Sequence, residues 1–357
     1  MRGQDSIQNS IFSYRTLEER IAAGHPIRQI RRLVDVALQG LEPQLAEIYS
    51  RVGRPSIAPE KLLRASLLQI LYSVPSERRL MERMDHDLLF RWFVGLEMDD
   101  AVWDPTTFTK NRARLLSGAV VEGLFAQVLK QARAAQLLSE DHFSVDGTLI
   151  EAWASKKSYQ EKNDPPAPGA GSGRRGELLK RDVFESRTEP EARLYKKSQG
   201  GEAKLSYLGH TVIENRRGLV VAATVTQAGA GAERTAALEL IKGLPGSGKR
   251  RRTVAADKAY DEPTLVAGMR AMKVTPHVAQ YEGQRSSAID GRTTRHEGYR
   301  ISQERRKWVE RPFGWMKTVG LMRRARLRGL ELVKAAFQLA AAAYNLVRMR
   351  KLIPEVA

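Results

Sequence analysis

The hydrophobic period changes once along this 357-residue chain, near His142, and that change limits the fold more than any other feature. Before it, apolar residues recur at helical spacing. In the run after Pro59, Leu62, Leu63, Ser66, Leu67, Ile70 and Leu71 form one amphipathic stripe. Pro75 stops it, Ser76-Glu77 opens a short helix ending near His86, and DLLFRWFVGL supplies a third apolar block. DPTTFTKNRARLL then predicts a helix with Asp104 or Thr106 at its N-cap and Pro105 in its first turn. Several short helices, with a late one carrying Thr107, Lys110, Asn111, Arg112 and Arg114, suit a DNA-binding domain of helix-turn-helix type and equally a basic-faced dimerisation bundle.

After His142 the pattern is that of a sheet. HFSVDGTLI, LSYLGHTVIEN and LVVAATVT are β-branched and aromatic runs, the last two joined by Asn215-Arg216-Arg217-Gly218 as a hairpin. ERTAALELIKGL predicts a helix, RTVAAD a strand, EPTLVAGMRAM a helix and VTPHVA a fifth strand, with a long last helix from about Ser302. Three consecutive strands followed by alternating helices and strands make a mixed sheet flanked by helices. The expected division is a helical DNA-binding or dimerisation domain over 1–135 and an α/β domain over 136–350. An insertion at about 156–201 interrupts the second, and its core, Asn163 to Gly176, is rich in Pro, Gly and Ser and predicts a flexible loop.

The chain has 59 Lys+Arg against 41 Asp+Glu, a formal charge of +18, which favours a polyanionic partner. It has no cysteine, which excludes disulfide scaffolds, cysteine-based zinc fingers and thiol nucleophiles and predicts a reducing, cytoplasmic setting. The longest near-apolar stretch, Ala335 to Val347, is too short to span a bilayer, and MRGQDSIQNS has no apolar core of a secretory signal. Gly243 to Lys249 matches the spacing of a phosphate-binding P-loop. Arg250 stands where the loop's hydroxyl belongs, and the motif follows a helix and precedes a strand, so no nucleotide cofactor is expected.

Three carboxylates stand at the ends of elements or in basic surroundings. Asp146 lies in the first strand, on the face opposite Phe143, Val145 and Leu149; Asp257 closes the apolar strand Val254 to Ala256; Glu310 lies in RRKWVER. A carboxylate closing a buried strand is costly unless paired, metal-bound or set in a cleft. Helical spacing places Arg306, Glu310 and Lys317 on one face, beside Trp308, Phe313 and Trp315. Between Arg285 and Leu330 there are 13 basic and 4 acidic residues, half of the chain's excess charge.

FSVDGTLIEAWAS, VAADKAYDEP and ERRKWVERPFGWMKTVG resemble the corresponding blocks of bacterial insertion-sequence DDE transposases, whose catalytic domain has a ribonuclease-H-like fold. Their last helix carries a tyrosine, two residues, an arginine, three residues, a glutamate, six residues and a lysine. Arg306, Glu310 and Lys317 fall at that spacing, with Gln303 in place of the tyrosine, Tyr299 four residues upstream, and Pro312 inside the helix. The resemblance implies that Asp146, Asp257 and Glu310 hold two Mg²⁺ ions, or Mn²⁺, for in-line displacement at phosphodiesters. It implies hydrolysis at transposon terminal inverted repeats, then transfer of the freed 3′-hydroxyl to target DNA by a homo-oligomeric synaptic complex. Arg306, Lys317, Arg323, Arg324, Arg326, Arg328, Lys110 and Arg112 are the expected phosphate contacts. A non-catalytic DNA-binding descendant, or a nuclease that never joins strands, would carry the same motifs.

Overall fold

A computed structural model describes residues 14–48, 56–116, 119–161, 184–196, 202–283 and 286–354. Eight helices come first: α1 (Leu17–Arg20), α2 (Pro26–Gln39), α3 (Glu42–Ile48), α4 (Pro59–Leu71), α5 (Glu77–His86), α6 (Leu88–Val94), α7 (Pro105–Leu116) and α8 (Val120–Ala134). Their ends follow local chemistry. Ser76 caps α5 by accepting from Arg79 N, and Asp87 caps α6 at Leu89 N. Asp104, one of the two expected caps, accepts from Thr106 N at 2.8 Å at the start of α7.

The sheet follows as β1 (His142–Glu151), β5 (Lys204–Glu214), β6 (Val220–Gln227), β7 (Arg252–Ala256) and β8 (Val274–Val278) in the order β6-β5-β1-β7-β8. β1, β5 and β6 are antiparallel, while β7 and β8 run parallel to β1. This is the ribonuclease-H-like mixed sheet flanked by helices, preceded by an all-α region. Within the predicted insertion, β2 (Tyr159–Glu161) and β3 (Phe184–Ser186) form a two-stranded ribbon, and β4 (Arg193–Tyr195) adds to β5. The Pro- and Gly-rich core of that insertion, Asn163 to Gly176, lies outside the described residues. In the β5–β6 turn, Gly218 takes a positive φ of 71°, and the buried Glu214 carboxylate accepts from Arg216 N and Arg217 N.

Helices α9 (Ala232–Lys242) and α10 (Pro263–Ala271) connect the later strands, and α9 packs on β1, β5 and β6. The P-loop look-alike is the turn between α9 and β7, with positive φ at Gly246 and Gly248. Its position after a helix and before a strand is that of a connecting turn.

The expected long last helix is instead several pieces: α11 (Gly291–Thr294), α12 (Glu297–Arg306), a 3-10 turn at Lys307–Val309, α13 (Glu310–Thr318) and α14 (Leu330–Leu352). Pro312 accounts for the restart, because it falls in the first turn of α13, where a helix needs no amide donor.

α14 explains the longest apolar stretch of the sequence. Its Val333, Phe337, Ala340, Ala341 and Tyr344 belong to the core under the sheet; Ala335, Leu339, Ala343, Leu346 and Met349 belong to the core of the helical region. A helix apolar all round is one buried all round. Asn345, fully buried, accepts from Val220 N at 2.9 Å and donates to Val220 O at 2.7 Å, satisfying backbone of the edge strand β6. Gly209 lets the Phe337 ring approach β5, for a β-carbon there would lie 2.8 Å from it. No helix among the described residues is long and apolar enough to cross a membrane.

Candidate active site

Parallel pairing brings two of the three acids together. The β1–β7 ladder matches His142 with Thr253, Phe143 with Val254 and Ser144 with Ala255. Continuing that register two steps places Asp146 opposite Asp257, just beyond the last residue of β7. Register-matched residues on parallel neighbours share a face, with strands about 4.8 Å apart. Both acids are half-buried. The Asp146 carboxylate accepts from Gly147 N at 2.7 Å, and Asp257 caps the 3-10 turn that follows it by accepting from Ala259 N at 2.8 Å. Asp261, four residues on, serves the scaffold instead. Fully buried, it accepts from Tyr281 N and Ala288 N and fastens the loop after β8.

Glu310 opens α13 and is exposed, while the 3-10 turn leading into it packs on β1 and β5. The 3-10 turn separates the helix that carries Arg306 from the helix that carries Glu310 and Lys317. Arg306 and Lys317 are half-buried, and Arg306 Nε is buried with no acceptor among the described residues. Gln303 donates to His277 O at 2.6 Å, and Tyr299 OH donates to Val278 O at 3.0 Å. These two side chains on successive turns of α12 therefore tie it to the end of β8.

The remaining expected phosphate contacts divide. Arg323 and Arg328 are exposed, and so is Lys110. Arg112 is not available: it is 8% exposed, ion-paired to Glu77, and donates to Gln69 Oε1. The residues around it suggest a basic face, but α7 turns this position into the core. Arg324 donates to Ala152 O at 3.2 Å and Trp153 O at 2.6 Å, and Arg326 donates to the carbonyls of Val74 and Pro75. Those two arginines join the segment before α14 to the end of β1 and to the helical region. Arg305 and Arg311 were not among the expected contacts. Their guanidinium carbons lie 4.4 and 4.5 Å from the centre of the Trp308 ring, beside Glu310, at cation–π distance.

Two further side chains are not evident from sequence. Tyr260 stands three residues after Asp257, 1% exposed, and its hydroxyl has no partner among the described residues. Burial, and then the charges of Glu233, Asp146 and Asp257, push its phenol pKa up. Tyr260 lies inside a motif block, but Glu233 carries no signal at all, being one of 41 acids.

Asp146 and Asp257 offer carboxylate oxygens, and the chain has no cysteine, which fits a hard divalent cation. Among the described residues, no group of three His, Cys, Asp or Glu side chains is gathered as it stands to hold an ion.

The strand order, antiparallel on one side of β1 and parallel on the other with helices on its faces, is that of a ribonuclease-H-like fold. Residues 138–346 match the family described as Transposase DDE domain, and residues 15–114 match Transposase domain (DUF772). The chain belongs to the Transposase DDE domain family and is a metal-dependent DNA transposase. No curated protein matches its sequence. Among solved structures it is similar to a piggyBac transposase in a synaptic complex with hairpin DNA, at 10% identity over 91% of this chain and 75% of that one, TM-score 0.40. A Mos1 transposase paired-end complex with the left transposon end is similar at 9% identity, over 64% of this chain and 61% of that one, TM-score 0.20.

Proposed function

We propose that this transposase cuts DNA at terminal inverted repeats and joins the freed 3′-hydroxyl to target DNA, with Asp146, Asp257 and Glu310 as its catalytic acids. The observation that carries the assignment is the parallel β1–β7 register, which, continued two steps past its last pair Ser144–Ala255, sets Asp146 opposite Asp257. Mg²⁺, or Mn²⁺, would be held by these carboxylates and would activate the attacking oxygen and stabilise the leaving one.

The protein's own groups have separable roles. β1 and β7 hold two acids on a rigid base, while α13 brings the third from a helix that can adjust. Arg306, whose buried Nε lacks an acceptor among the described residues, and Lys317 grip phosphates beside the acids and offset the repulsion between carboxylates and DNA. Arg305, Arg311, Arg323 and Arg328 extend that grip along the backbone. Gln303 and Tyr299 act by position, fixing α12 against β8. The helical region recognises the terminal repeat through the exposed side of α7, including Lys110 and Arg114, and a homo-oligomer pairs the two ends.

The test is a strand-cleavage assay with the full chain, Mg²⁺ and DNA carrying terminal repeats. Asp146→Asn, Asp257→Asn and Glu310→Gln should each lose cleavage while still binding the DNA. A variant Asp257→Asn that cuts at the wild-type rate would overturn the assignment. Joined products, mapped by sequencing, separate strand transfer from hydrolysis alone.

A further inference from the structure

Thr211, in the middle of β5, is fully buried, and its hydroxyl has no hydrogen-bond partner among the described residues. An unpaired buried hydroxyl costs stability that a valine of the same shape would not. The neighbours of Thr211 on its own face of the sheet narrow what this hydroxyl can serve. Along β5 they are Gly209 and Ile213, two residues away on either side. Across the sheet, the β5–β6 ladder pairs Thr211 with Ala223, and the β1–β5 ladder pairs it with Asp146. Three of these four have no polar side-chain atom. The fourth is a carboxylate.

Paired residues on antiparallel strands share a face, with β-carbons about 4.5–5.5 Å apart. A threonine hydroxyl and an aspartate carboxylate close such a gap by turning between staggered rotamers, without any movement of the backbone. Here the Asp146 carboxylate accepts from Gly147 N at 2.7 Å, and Thr211 is left without an acceptor. Solvent does not supply one either. The Phe337 ring of α14 covers Gly209 on the same face, and the 3-10 turn leading into Glu310 packs on both β1 and β5.

We propose that Thr211 is a positioning residue of the metal site, whose hydroxyl donates to one oxygen of Asp146 and leaves the other turned toward the cation. The proposal rests on the reading of Asp146 as a metal-binding acid given above. It adds a residue from β5, an element outside the three motif blocks. A hydrogen bond of this kind fixes the rotation of a ligating carboxylate, and partners that orient metal ligands commonly set affinity as well as geometry. The same bond would satisfy the one polar group that the packing of β5 leaves stranded beside the acids.

The experiment measures the Mn²⁺ affinity of the full-length, DNA-free protein by electron paramagnetic resonance, alongside its melting temperature without metal. Thr211→Val should bind Mn²⁺ about tenfold more weakly. It should also melt at or above the wild-type temperature, because it keeps the shape and removes an unpaired hydroxyl. A threonine with a purely structural role would not give that combination. Thr211→Ser keeps the hydroxyl and loses a buried methyl, so it should melt lower yet retain the wild-type affinity. Wild-type Mn²⁺ affinity in Thr211→Val overturns the proposal. Should Thr211→Val fold poorly, Thr211→Ala against Thr211→Ser decides, since these differ by the hydroxyl alone: weaker binding in the alanine variant supports the proposal and equal binding overturns it. Asp146→Asn separates the two levels. If it loses Mn²⁺ while Thr211→Val keeps it, only the role of Thr211 fails. If Asp146→Asn also binds as wild type, the metal-binding reading of Asp146 fails with it.

Discussion

The helical region and the segment from α12 to α14 are both rich in arginine, yet they differ in how far they turn it inward. In the helical region one set of guanidinium groups faces inward, while Arg32, Arg78, Arg79 and Arg114 among others stay exposed. Arg112 pairs with Glu77, Arg31 and Arg64 converge on Asp35, and Arg91, 3% exposed, donates to the carbonyls of Met84, Glu97 and Asp100. Between α12 and α14, Arg305, Arg311, Arg323 and Arg328 are exposed, and Arg306 keeps a buried donor that no group among the described residues accepts. Arg324 and Arg326 are the exceptions there, tied to carbonyls just past the end of β1 and in the turn between α4 and α5. A guanidinium can close a loop of backbone carbonyls or grip a phosphate, because both offer oxygen acceptors to its planar fork. Which of these an arginine does depends on the carbonyls that the fold brings within its reach, as the exposed but tethered Arg324 and Arg326 show, so an excess of basic residues locates a binding face only after the fold is known.

This contrast can be broken most directly at Arg112. Its loss to alanine should destabilise the protein by about 3 kcal/mol in urea unfolding, since Glu77 would keep a partly buried charge without its partner. The salt dependence of DNA binding should stay as in wild type. A weakened salt slope without a stability loss would return Arg112 to the DNA face and undo the comparison.

Acid should distinguish the two regions next. His210 on β5 and His277 on β8 are kept neutral by burial, each with its pKa lowered to about 4. The unfolded chain takes up these protons near pH 6.5, so the stabilisation is full above that pH and is lost progressively as the pH falls toward 4. Each histidine can contribute up to about 1.4 kcal/mol per pH unit in that window. Hydrogen exchange at pH 5 should therefore open the sheet before the helical region, and His210→Gln should reduce the difference. Equal opening of both regions would contradict the assignment of buried neutral histidines.

The smallest effect belongs to an exposed arginine. Arg328→Ala should leave stability within about 0.5 kcal/mol of wild type and lower the salt slope of DNA binding by about 0.9, the value for one lost phosphate contact. If the slope is unchanged while Arg305→Ala shifts it, the DNA path runs past Trp308 and misses the loop before α14.

Much of the architecture is legible in residue pattern. The change of period at His142, the succession of strands and the hairpin at Asn215 to Gly218 all follow from alternation and turn chemistry, which are local properties. The acids at 146, 257 and 310 can be singled out because each sits in a motif block. Features that depend on three dimensions are not legible in this way. The spacing of the last helix suggests one continuous element, but Pro312 and a 3-10 turn restart it at Glu310. Arg112 resembles part of a basic face because sequence spacing cannot say which side of α7 meets α5.

The succession of strands and the acids that they carry are thus determined by the sequence alone, since side-chain alternation and turn signals are written residue by residue. Their meeting is decided by tertiary structure. Only the β1–β7 register, continued past its last pair, sets Asp146 opposite Asp257, only the packing of α9 lays Glu233 over Gly147, and only burial leaves Tyr260 without an acceptor among the described residues. The physical reason is the same in each case: contact between residues far apart in the chain depends on how apolar faces stack, which no local pattern encodes.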